Sequence, residues 1–173
     1  MSQHPDHRVM AVHLASRGFG YTVFESGPQM VEWGLKQTRQ DKEQRTLAHF
    51  ERLAQLYRPK YLLLADYASY PRRQTIRIRE LTSTLANHAA TLRIKVRLVH
   101  WNQVRASLRL LGVGTKAEMA KFIAARVPDL AVHLPPIRKP WMSEDHRMSL
   151  FEAAALVLHD IGWDLFDDQI VPK

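Results

Sequence analysis

The sequence predicts an α/β fold: a mixed five-stranded sheet flanked by helices. Three short apolar segments of strand length follow one another near the N-terminus with only turn-like residues between them. The hydrophobic period then lengthens to three and four residues, and from there strand-like runs alternate with helical ones. Strands joined by tight turns pair antiparallel, whereas strands separated by a helix need a crossover and pair parallel, so one sheet must contain both arrangements.

Each element has its own warrant. "RVMAVHL" is an apolar run closed by small residues, and "FGYTVFE" and "QMVEWGL" follow it after "ASRG" and "SGP", which makes a three-stranded meander. Between Gln40 and Tyr57, residues Leu47, Phe50, Ala54 and Tyr57 recur on one helical stripe with charged residues between them. Pro59 then precedes the solid run Tyr61–Ala65, which has the look of a strand covered on both faces, ending at Asp66. Ile78, Leu81, Leu85 and Leu92 mark a helix over Arg73–Leu92. "IKVRLVHW" supplies a fifth strand, and a short helical piece covers Val104–Leu111. Thr115 and Glu118 form a T-x-x-E box opening a helix through Val127. A proline-punctuated loop follows, and Ser143 is placed to cap a last long helix with Glu144 and Asp145 in its first turn, where the helix dipole favours acids.

Composition bounds the function classes. A chain of 173 residues suits one domain, expected over 1–173 with 1–7 and 164–173 at its periphery. There are no cysteines, which removes thiolate metal sites, disulfides and cysteine nucleophiles together and suits a reducing cytoplasm. The polar start "MSQHPDHR" is unlike a signal peptide, and no apolar run approaches membrane-spanning length. With 25 Lys and Arg against 17 Asp and Glu, the net charge of +8 favours a polyanionic partner, of which nucleic acid is the usual one.

The element order matches the ribonuclease H-like fold, with strand order 3-2-1-4-5 and strand 2 antiparallel. Within it, "VMAVHLASRGFGY" resembles the RuvC-type Holliday junction resolvases, whose first strand ends in a catalytic aspartate followed by a small-residue turn, a glycine and an aromatic. His13 falls on the aspartate's position, with Ser16, Gly20 and Tyr21 on matching ones. Asp66 in "YLLLADY" falls near the place of a catalytic glutamate. The run "EDHRMSLFEAAALVL" resembles that family's last helix, with Glu152 on the final acid and Ser149 on the one a turn earlier.

The resemblance implies an endonuclease using divalent metal on branched DNA. In such chemistry carboxylates from distant segments hold ions that activate water and stabilise the leaving oxygen. His13, Asp66 and Glu152 are then the expected ligands, with Asp145 a further catalytic candidate because positions 145, 149 and 152 would share one helical face. A neutral nitrogen at His13 in place of an acid shifts the preference from Mg2+ towards Mn2+. Arg17, Arg72, Arg73, Lys116, Arg138 and Lys139 are candidate phosphate contacts, and Tyr67, Tyr70 or Trp141 could stack on an unpaired base. His100 reads either as another ligand or general base, or as a loop histidine fixing the next helix. A homodimer is implied by the same family likeness. The alternative is a nucleic-acid-binding member of the fold whose catalytic centre has degenerated. A nucleotide-binding relative is disfavoured, because "GVGTK" lacks the G-x-x-x-x-G-K spacing of a phosphate loop.

Overall fold

The computed structural model describes residues 8–66 and 73–164, with the side chains of 73–75 outside that description. Strands β1 (Arg8–Ala15), β2 (Gly18–Glu25) and β3 (Gln29–Gln37) form the meander, helix α1 (Lys42–Tyr57) leads to β4 (Tyr61–Asp66), and α2 (Arg73–Thr91) leads to β5 (Lys95–His100). Helices α3 (Trp101–Leu110) and α4 (Lys116–Arg126), a 3-10 turn at Pro128–His133 and α5 (Met148–Ile161) complete the chain. The sheet order is β3-β2-β1-β4-β5, with β1 antiparallel to β2 and parallel to β4, as the sequence predicts.

Side chains alternate across a strand, so the two faces of the central strands divide cleanly. Met10, Val12 and Leu14 of β1 and Leu62 and Leu64 of β4 pack with Phe50 and Leu53 of α1 and Leu81 and Leu85 of α2. Ala11 of β1 and Leu63 and Ala65 of β4 pack on the other side with α3, α4 and α5. Every residue of α5 from Met148 to Leu158 is buried. A helix apolar all round is a core helix, and this one lies between the sheet and helices α3 and α4. It ends at Gly162, whose φ of 101° lets the chain turn away while its N–H caps the Leu158 carbonyl at 2.9 Å.

Two expectations change. Helix α3 begins at Trp101, directly after β5, rather than at Val104. Helix α5 begins at Met148 rather than after Ser143. The Asp145 carboxylate takes the backbone N–H of Arg147 at 2.9 Å and its guanidinium at 3.0 and 2.8 Å, closing a separate turn. The next three N–H groups bond three residues back, to Asp145, His146 and Arg147, before the α-helical ladder sets in. Among the described residues no helix is long and apolar enough to cross a membrane.

Candidate functional site

His13 lies on the Ala11 side of β1 by alternation, and its cross-strand partner on β2 is Gly20. That glycine is a close-approach position. A Cβ there would stand 2.4 Å from the carbonyl carbon and oxygen of Ser149 and 2.5 Å from the nitrogen of Leu150. The missing side chain lets the backbone of α5 rest directly on the sheet beside His13. Glu152, one turn later, is thereby carried over the imidazole, with Oε2 3.1 Å from Nδ1. His13 is 6% exposed and Glu152 2%. The Trp101 ring, at the start of α3, stands 5.9 Å from the imidazole.

Burial holds the His13 pKa below its usual 6.5, outweighing the upward pull of Glu152, so the ring is neutral at neutral pH. The charge opposing Glu152 comes from elsewhere. Thr115 caps α4 by accepting the Glu118 N–H at 3.1 Å, as its T-x-x-E pattern predicts, and this fixes Lys116 at the first helical position. The Lys116 ammonium lies 2.8 Å from Glu152 Oε1 and 2.8 and 2.9 Å from the two oxygens of Glu144. Burial works against that charge, but the two carboxylates outweigh it and raise the lysine pKa above its usual value. The result is a chain of contacts from a neutral imidazole through a buried carboxylate to a half-exposed ammonium and a surface carboxylate.

The structure brings together only part of the predicted set. Asp66 follows Ala65 at the end of β4, and Ala65 faces the His13 side; alternation turns Asp66 towards the opposite face. Its Oδ2 lies 3.1 Å from Nδ1 of His100, its register partner on β5, so of the two readings of His100 the structure shows a strand-end residue set against Asp66. Asp145 lies outside α5 and does not share the Ser149 and Glu152 face. Its hydrogen bonds to the Arg147 side chain hold its pKa down at about 2 and occupy both carboxylate oxygens. Arg17, in the β1–β2 turn, and Arg138 line one cleft of about 210 Å³ with Pro136, Met142 and residues 143–146. Lys139 lies against Trp141, with Nζ 5.3 Å from the ring centroid. Arg72, Tyr67, Tyr70 and the side chain of Arg73 lie outside the described residues. Sequence reasoning did not single out Trp101 or Glu144 as part of this centre. The strand parity of "LLLAD" carried a usable signal that Asp66 and Ala65 face opposite ways.

Among the described residues no three imidazole or carboxylate groups lie close enough to hold one metal ion, so the expected His13, Asp66 and Glu152 set does not form. A smaller set does. Nδ1 of His13 and Oε2 of Glu152, 3.1 Å apart, have about the spacing of two adjacent donors around an octahedral ion with ~2.1 Å bonds. Ions of this kind commonly take one or two protein donors and complete their shell with water and substrate phosphate. The pair therefore has a spacing that fits a single divalent ion. It does not fit the paired ions of two-metal chemistry, which need carboxylates from several elements.

No protein-family model matches the chain, and no curated protein sequence matches it. Solved structures do. Thermus thermophilus RuvC in complex with a Holliday junction substrate superposes with a TM-score of 0.61 at 14% identity, over 95% of this chain and 96% of that one. Thermus thermophilus RuvC in a second structure gives 0.61 at 15% identity over 94% and 96% of the two chains. The yeast mitochondrial Holliday junction resolvase gives 0.56 at 14% identity, covering 96% of this chain and 82% of that one. Over nearly its whole length, the chain has the ribonuclease H-like fold of the RuvC-type resolvases.

Proposed function

We propose that the protein is a RuvC-like endonuclease that acts on branched DNA with a single divalent ion at Glu152 and His13. The observation that carries this reading is the buried Glu152 carboxylate held 3.1 Å from a neutral imidazole at the end of β1, in a fold shared with two junction resolvases. A divalent ion at this pair would polarise a phosphodiester and make water a stronger nucleophile. The chain's own residues do the rest. Gly20 lets α5 bring Glu152 to the sheet, and burial keeps His13 neutral, so that one of its ring nitrogens carries no proton and can act as a donor to an ion. Lys116 offers an ammonium to a phosphate at the mouth of the site, and Arg17 and Arg138 extend the positive surface along the neighbouring cleft. A homodimer belongs to this proposal, because resolving a four-way junction requires two cuts related by symmetry.

One observation favours a second reading. Lys116 already supplies a positive charge to Glu152 at 2.8 Å, which is what a metal-free site needs to keep a buried carboxylate stable. On that reading the protein binds branched nucleic acid and no longer cuts it. Incubating the protein with labelled four-way junctions and linear duplex, each with Mg2+ or Mn2+, separates the two. Incision of the junction that Glu152→Gln abolishes is expected. Salt-sensitive binding with no incision in either metal would overturn the nuclease reading in favour of the binder.

A further inference from the structure

The segment between the 3-10 turn and α5 exposes apolar surface for which the fold has no use. Ile137 is 88% exposed and Trp141 78%, with Met142 also outside the core. A single exposed apolar residue is unremarkable, but here three stand within six positions and interleave with Arg138 and Lys139. Pro135, Pro136 and Pro140 restrict the backbone between them, so the side chains are presented at low entropic cost. Lys139 approaches the Trp141 ring with Nζ 5.3 Å from its centroid, and the ring remains largely open to solvent.

The charges select the occupant. The stretch from Val132 to Met142 contains no acid. The acids of the adjoining cleft are both engaged, Asp145 by Arg147 and Glu144 by Lys116. Arg17 and Arg138, which line that cleft, have no ion-pair partner among the described residues. A partner must then carry negative charge at regular spacing together with flat apolar faces. An unpaired nucleotide has both. A purely apolar protein surface would leave the arginines unmatched.

We propose that Trp141 stacks on an unpaired base at the branch of a DNA substrate while Arg17 and Arg138 hold the adjoining phosphates. This rests on the branched-DNA reading above and names the feature of the branch that is recognised. It is tested on the full chain in chelator, so that binding is measured without cutting, using two branched DNAs that differ only in two unpaired nucleotides at the branch point. The native protein is expected to prefer the DNA with unpaired nucleotides. Trp141→Ala is expected to weaken binding to that DNA by about tenfold, within the range found when one stacked aromatic is removed, and to leave the paired branch unaffected. Trp141→Phe keeps a stacking face and should keep the preference. It should also lose the quenching of tryptophan emission on binding, because Trp101 and Trp163 are buried and Trp33 is partly covered. Equal binding of both branches by the native protein, or unchanged binding by Trp141→Ala, overturns the stacking proposal alone. Failure of the native protein to bind any branched DNA overturns the branched-DNA reading and this proposal with it.

Discussion

Replacing Gly20 by alanine tests how the site is built. The new Cβ would lie 2.4 Å from backbone atoms of Ser149, and ordinary contact begins at 3.4 Å, so α5 and β2 must separate locally by about 1.0 Å. No side chain can move aside to relieve this, because the opposing atoms are backbone. The helix is also buried on every side, so a shift away from the sheet drives it into α3 and α4. Overpacking of a close-packed core costs about 1–3 kcal/mol, and a backbone-to-backbone clash belongs at the upper end. For a domain of this size, about 3 kcal/mol lowers the melting temperature by about 6–12 °C. Thermal unfolding followed by circular dichroism measures it. Gly114→Ala is the control, since its nearest neighbour would be a Glu118 carboxylate oxygen at 3.9 Å and its melting should stay close to that of the native protein. The same displacement acts on the turn that carries Glu152, so any stabilisation by Mn2+ should shrink in Gly20→Ala. Melting of Gly20→Ala within about 2 °C of the native protein would refute the claim that a missing side chain sets the approach of α5 to His13.

Three further outcomes follow from the charges. Mn2+ should raise the melting temperature of the native protein and leave Glu152→Gln unchanged, because the neutral amide removes the anionic donor of the pair; scanning calorimetry with and without metal reads this. The Tyr57 hydroxyl donates to Glu32 at 2.5 Å, and this bond chiefly lifts its pKa from 10.0 to about 12. A raised pKa stabilises the fold fully below pH 10 and loses that contribution as the pH climbs to about 12, so urea titrations of native protein should weaken across this window and those of Tyr57→Phe should stay flatter. Asp145 is the opposite case. Hydrogen bonding by the Arg147 side chain lowers its pKa from 3.8 to about 2, so its contribution is present above pH 3.8, disappears as the pH falls to about 2, and should be missing throughout in Asp145→Asn.

The central sheet was readable because period and turn chemistry agree there. Apolar runs separated by "ASRG" and "SGP" leave little freedom in how the meander pairs, and the doubly apolar "LLLA" run can only be a strand covered on both sides. The T-x-x-E box gave the start of α4 to the residue, since capping is a local interaction. The start of α5 was misread for an equally local reason. Ser143 and its following acids satisfy the rules for a helix start, but an arginine two positions after Asp145 offers that carboxylate a better partner than a helix dipole. Within the candidate site, the closeness of His13 and Glu152 was to be expected from the resemblance to the RuvC-type resolvases. Asp66 was assigned by its closeness to the strand end, although a one-residue difference decides which face a strand residue serves. The pairing of Lys116 with Glu152 was beyond sequence reasoning, because it depends on how α4 and α5 pack, with the two residues 36 positions apart in the chain.

That lysine links the two ligands of the proposed activity. The Lys116 ammonium and a divalent ion both seek the carboxylate of Glu152, and the raised lysine pKa means that the competitor does not leave by losing its proton near neutral pH. It can leave by moving, because its side chain is half-exposed and already reaches Glu144. A DNA phosphate at the mouth of the site would draw the ammonium outward and leave a buried carboxylate without its counter-charge, which strengthens its attraction for an ion. The coupling must be reciprocal, with the ion freeing Lys116 for the phosphate as much as the phosphate frees Glu152 for the ion. Branched DNA is therefore expected to lower the Mn2+ concentration needed for half-maximal thermal stabilisation. Lys116→Met, which keeps the length of the side chain without its charge, is expected to bind Mn2+ more tightly than the native protein without DNA and to show little further gain with it. A Mn2+ midpoint that DNA shifts equally in the native protein and in Lys116→Met would break this link and leave Lys116 as a fixed counter-ion of the fold.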